Sequence, residues 1–165
     1  MNRRRIIAGM LFVLVMAGCA TQQERAEQRA KMRLAVAEAV ASKRMHIDIR
    51  NMHTLRYGSR LVSSGFFLEL RGNTLCSYLP YFGQAYQSPM GTPSIGLNFE
   101  MPIQRYAEKR AKANKTQLEL DVRTQEDNYH YQIDLYDSGD AYVRVRSLNR
   151  DPVSFDGTFA PLESK

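Results

Sequence analysis

From Met45 onward, apolar and polar residues alternate with a period of two, and this alternation limits what the chain can become more than any other feature. Met45, Ile47 and Ile49 alternate with His46, Asp48 and Arg50, and Phe66, Leu68 and Leu70 with Phe67, Glu69 and Arg71. Ile95, Leu97, Phe99 and Met101 form a third run, Leu118, Leu120 and Val122 a fourth, and Tyr129, Tyr131, Ile133 and Leu135 a fifth; Ala141 to Leu148 continues in β-branched and arginine residues. Successive side chains of a strand point to opposite faces, so each run predicts a strand with one buried and one solvated face. Burial on one side only belongs to antiparallel sheets.

The connections fit short hairpins. Gly72-Asn73 and Asp137-Ser138-Gly139-Asp140 separate strand patterns, and Asp156-Gly157 has the composition of a type I′ turn between Ser154-Phe155 and Thr158-Phe159. About eight short strands with no long helix among them predict a mainly β domain over residues 45–165, either a single antiparallel meander sheet or a partly closed barrel. The span suits one domain.

A different texture precedes it. Met1 to Arg5 carries three arginines, Ile6 to Met16 is almost unbroken apolar sequence, and Ala17-Gly18-Cys19 follows. That is the order of a secretory signal, and the apolar run is shorter than the roughly 20 residues that span a bilayer. Met16-Ala17-Gly18-Cys19 resembles the bacterial lipobox, which implies removal of residues 1–18 and lipidation of Cys19 as the membrane attachment. Residues 19–44 then read as a helical tether: Thr21 to Arg44 has no Gly or Pro, and Met32, Val36 and Val40 recur every four residues. The stripe suits a spacer, a partly ordered tether, or a helix packed on the domain.

Processing alters the charge and the cysteine count. The chain has 23 Lys plus Arg against 17 Asp plus Glu; without Arg3, Arg4 and Arg5 the excess falls from +6 to +3. With no basic block, nucleic acid is not an expected partner. If Cys19 carries lipid, Cys76 is a lone thiol, expected as a packed strand residue with no histidine near it in sequence.

The segment Tyr78-Leu79-Pro80-Tyr81-Phe82-Gly83-Gln84-Ala85-Tyr86 breaks the alternation. Leu79 to Gly83 with Ala85-Tyr86, Gly139, Ser147-Leu148-Asn149-Arg150 and Ser154-Phe155-Asp156-Gly157 together resemble the Bacteroidetes lipoproteins catalogued as domain of unknown function forty-two fifty-one. The resemblance covers roughly residues 60 to 160. It implies an envelope lipoprotein with a lipocalin-like β-domain and no known activity. The family's strand around residues 103 to 112 is more hydrophobic than Gln104 to Arg110 here, which leaves strand or helix open for that segment.

Candidate site residues come from the same stretch. Pro80 holds Leu79 extended and Gly83 permits a turn, so Tyr78, Tyr81, Phe82 and Tyr86 form a candidate ligand platform, with Arg150 as a possible clamp for an anion. Alternatively the rings close one end of the barrel and Arg150 braces a turn or pairs with Asp151 or Asp156. No catalytic residue, metal set or cofactor motif emerges: His46 and His130 fall on polar strand phases, His53 falls in a loop, and no phosphate loop or Gly-Xaa-Ser-Xaa-Gly is present. Two functions are carried forward. One is a binding module for a small amphipathic ligand or peptide; the other is a scaffold that docks an envelope protein through a strand edge or surface patch. An uncharacterised hydrolase is a minority reading. Ala20 after the cysteine suggests the outer membrane, and Arg25 and Arg29 among Glu24 and Glu27 favour its periplasmic leaflet.

Overall fold

The computed structural model describes residues 3–83, 96–112 and 114–162, with side chains from Gln22 onward. Among the described residues one helix, α1 (Arg3–Ser42), precedes nine strands: β1 (Arg44–Thr54), β2 (Gly58–Leu61), β3 (Phe67–Arg71), β4 (Thr74–Pro80), β5 (Gly96–Lys112), β6 (Lys115–Arg123), β7 (Asn128–Tyr136), β8 (Asp140–Ser147) and β9 (Val153–Pro161). Every pairing is antiparallel, and β3 to β9 pair in chain order. On one edge β1 pairs first with β3 and then with β2; its other edge pairs with β9 from Met45↔Pro161 to Thr54↔Val153. The sheet therefore closes as an eight-stranded, lipocalin-like barrel, with β2 a short addition at one end. Closure removes the two long edges that an open meander would expose.

The alternating residues face inward as their phase dictates. A bulge at Ile49/Asn51 on β1 moves the inward phase from Met45, Ile47 and Ile49 to Met52. The basic segment around Gln104 is strand: β5 runs through it with irregularities at Ile103/Arg105 and Arg110/Lys112. Pairing with β6, not hydrophobicity, holds it there. His53 is likewise on a strand, the outer face of β1, rather than in a loop.

Asp156-Gly157 is not a hairpin. β9 runs straight through it, and Gly157 is not among the glycines with positive φ. Its missing side chain serves close approach instead: a Cβ there would overlap the carbonyl oxygen of Asp48 and come within 2.9 Å of Ile47 Cγ2. Gly157 pairs with Ile49 on one side and Ala141 on the other, so the glycine lets β9 approach β1 closely at the seam.

The interior is filled. Leu75, Leu79, Leu118, Leu120, Tyr131, Leu135, Val143 and Phe155 are 0 % exposed, and the other buried side chains of the same core cluster reach at most 6 %. A cavity large enough for a ligand would register as exposed surface on the side chains lining it. The polar pair inside is satisfied: Ser77 Oγ donates to the Leu97 carbonyl at 2.7 Å and lies 3.1 Å from Tyr131 Oη. Burial pushes the Tyr131 hydroxyl pKa far up, so it stays protonated.

Helix α1 closes one barrel end. Val36, Ala39 and Val40 are buried against the core and Met32 packs against Gly139, whereas Leu34 and Ala37 face solvent. The stripe thus packs on the domain rather than merely spacing it. The helix stops at Lys43, whose φ of 52° is the left-handed conformation of a helix C-cap. Its carbonyl accepts from Gly72 N at 2.8 Å and its ammonium sits 4.3 Å from the Tyr106 ring centroid.

The seam yields a quantitative expectation. Gly157→Ala should lower the unfolding free energy by about 2 kcal/mol, as overpacking against backbone does, whereas Gly58→Ala, with open space around it, should cost about 1 kcal/mol through its positive φ alone. Urea unfolding midpoints measure both; equal losses would mean the seam is not tightly packed.

Candidate functional site at the barrel end away from the helix

At the end remote from α1, the chain crosses the barrel mouth in segments 55–57, 81–83, 124–127 and 148–152. Four of the sequence-predicted residues fall in or near these segments, and the structure divides them. Tyr81 turns over the mouth and donates to the Asp151 carbonyl at 3.3 Å, with the Arg150 guanidinium 5.2 Å from its ring centroid. Arg150 is buried and its Nη2 donates to Glu126 Oε2 at 2.9 Å. Asp127 accepts from the backbone N–H groups of Asn128 and Asn149 at 2.8 and 3.2 Å, and Arg56 Nε lies 3.2 Å from Asp151 Oδ2. Beneath them Phe99 stacks on Tyr129 at 5.3 Å. These contacts seal the mouth. Among the described residues Arg150 pairs with Glu126, a partner that sequence distance hid, rather than with Asp151 or Asp156.

Phe82 is exposed, with the Arg60 guanidinium 5.6 Å from its ring and 5.9 Å from that of Tyr57. Tyr78 stands apart on the outer face of β4, half-exposed beside Phe66 and Phe67 at 5.4 and 5.8 Å. Tyr86 and the side chain of Cys19 lie outside the described residues. Among the described candidates no single platform forms.

On the same outer face His46 stacks on Phe67 at 5.3 Å, with Nδ1 2.7 Å from Glu69 Oε1 and Nε2 3.0 Å from Asp48 Oδ1. Arg71 pairs with the other Glu69 oxygen. Burial opposes charge on the imidazole, but the hydrogen bonds to Asp48 and Glu69 outweigh it and raise the His46 pKa above 6.5. Cys76 is buried next to Glu69, and burial pushes its thiol pKa up, which keeps it protonated and unreactive. Among the described residues, no three His, Cys, Asp or Glu side chains gather in a metal-holding group.

Sequence reasoning missed the exposed apolar residues around this end. Leu55, Tyr57, Leu61 and Leu148 are exposed there along with Phe82. Leu61, followed directly by Val62, carries no signal of exposure, and its position on an edge strand has none either. Arg144 and Arg146 were legible on the polar phase of β8; that they make no ion pair among the described residues was not.

Two outcomes are expected. A raised folded-state pKa means that His46 stabilises the fold fully below the unfolded value of about 6.5 and loses that contribution as pH rises through the higher folded value. Unfolding free energy should therefore fall on passing from about pH 5.5 to pH 8, and His46→Gln should flatten the slope. Arg150→Met should lower stability by about 2 kcal/mol, because Glu126 loses the buried guanidinium that pairs with it, while Tyr81→Phe should cost well under about 1 kcal/mol. A stability gain in Arg150→Met would mark the arginine as strained for binding instead.

The chain matches the family model described as Domain of unknown function (DUF4251) over residues 26–159. A crystal structure of a DUF4251 family protein from Bacteroides eggerthii is similar in fold, with a TM-score of 0.63 and 14 % identity over 83 % of this chain and 91 % of that one. No curated protein matches the chain. The match spans the packed part of α1, the barrel and its closing seam, and the chain belongs to the DUF4251 family.

Proposed function

We propose that this protein is exported, is held by lipid on Cys19 to the outer membrane, on its periplasmic leaflet, and works as a docking module for another envelope protein. The observation that carries the docking reading is the edge of β2. Among the described residues this strand pairs with β1 alone, all four of its residues are exposed, and Leu61 is 88 % exposed with Tyr57 at 56 % and Phe82 at 52 % around it. A bare strand edge flanked by apolar side chains is what an extended segment of a partner needs: main-chain hydrogen bonds from the edge and apolar contact at its sides. Natural proteins usually protect such edges. The amphipathic small ligand remains the second reading, restricted to the outer surface because the interior is filled. A helix-capped barrel with its anchor beyond the helix presents β2 away from the attachment point.

A photo-reactive residue placed at Leu61 or Phe82 in the native envelope should give a discrete protein adduct, absent when the same residue is placed at Leu34 on the helix. Leu61→Asp should abolish the adduct formed from position 82 without moving the unfolding midpoint. Adducts that are diffuse or indifferent to Leu61→Asp count against the edge. Incorporated palmitate that survives Cys19→Ser counts against the anchor.

A further inference from the structure

We propose that the hollow beside Arg144 and Arg146, on the outer face of β8, binds a phosphate group. The hollow has a volume of about 330 Å³ and is lined by both arginines, His53, Ser154, Leu55 and Pro152 among others. Two cations two residues apart on one strand face stand about 7 Å from each other and repel. Among the described residues no acidic side chain relieves that repulsion. Arg144 faces Gln132 on β7 and Ser154 on β9, and Arg146 faces His130. The neighbouring carboxylates are engaged: Asp156 holds His53 Nε2 at 2.7 Å, and Asp121 holds His130 Nδ1 at 2.6 Å together with Arg105. Among the described residues neither Arg144 nor Arg146 makes an ion pair.

The donors are also positioned. The Arg144 guanidinium rests over the Tyr142 ring, 5.2 Å from its centroid, and the Tyr142 hydroxyl donates to Ser154 Oγ at 2.8 Å. Ser154 therefore keeps its own proton to donate outward. Two guanidinium forks and a hydroxyl suit the tetrahedrally disposed oxygens of a phosphate ester, which forks approaching from different directions can share. The arginines stand on a paired strand of the closed barrel, so the site is largely preformed. Arg146 also lines a second hollow of about 510 Å³ with Arg123 and Leu148, and Leu55 borders the first. An apolar substituent on the phosphate would lie along those leucines. The shared chemistry of the ligand is thus a phosphate ester, whether a lipid headgroup or a soluble organophosphate.

Arginine Nε–Hε resonances of the full chain, followed during titration with inorganic phosphate, glycerol 3-phosphate, and short-chain phosphatidylglycerol below its micelle concentration, test the site. Saturable shifts at Arg144 and Arg146 are expected. Shifts of equal affinity with glycerol 3-phosphate and phosphatidylglycerol assign a soluble ester; at least about ten-fold tighter binding of phosphatidylglycerol assigns a lipid headgroup. Arg144→Lys with Arg146→Lys keeps the charge but removes the forks and should weaken binding at least about ten-fold, whereas the charge-lowering pair Lys109→Ala with Lys112→Ala, and Leu61→Asp at the docking edge, should leave it unchanged. No saturable shift with any probe, or equal weakening in the Lys109/Lys112 pair, overturns the site.

Discussion

The β1–β9 seam is the constraint on which the rest of this structure depends. It joins the first strand to the last along nearly the whole of both, and without it the meander would leave two long edges open. The close approach needs Gly157 opposite Ile49 and the carbonyl of Asp48 nearby, so one residue without a side chain sets how tightly the barrel shuts. The bulge beside Asn51 then lets β1 serve two partners on its other edge, β3 at one end and β2 at the other. The docking edge proposed here thus follows from the geometry of closure: the strand that seals the barrel also carries the short strand that does not belong to it.

A closed eight-stranded barrel can hold a small ligand or be filled by side chains. This one is filled, with Tyr131 and Phe155 at the centre, α1 across one end and the Tyr81–Arg150–Glu126 group across the other. Chemistry or recognition therefore has the outer surface to work with. That surface is uneven. Strands β1, β3 and β4 carry the aromatic and acidic group of His46, Phe67, Tyr78 and Glu69; β8 carries Arg144 and Arg146, which have no acidic partner among the described residues, and the edge of β2 lies at the rim.

Most of the barrel was legible because period-two alternation is a local signal that burial enforces residue by residue: Leu118, Leu120 and Val122 face inward as their spacing requires. Closure was only partly legible, since it depends on a pairing between residues over a hundred positions apart. The same long-range pairing explains the one turn that the sequence misplaced. Asp-Gly favours a hairpin locally, but at 156–157 the glycine answers to Asp48, a neighbour no local pattern reveals. Of the site candidates, Tyr81 and Arg150 do meet, yet their partner Glu126 comes from another loop, and Tyr78 was separated from them by strand phase alone.

The filled interior is the claim from which the functional account follows, and titration of the full chain with a fluorescent fatty acid, read alongside methyl resonances of Leu118, Leu120 and Val143, addresses it most directly. The account predicts no saturable binding that moves those resonances. One-to-one binding that shifts them would show that the barrel opens to a ligand, and the surface reading of this protein would have to give way to a carrier inside the barrel.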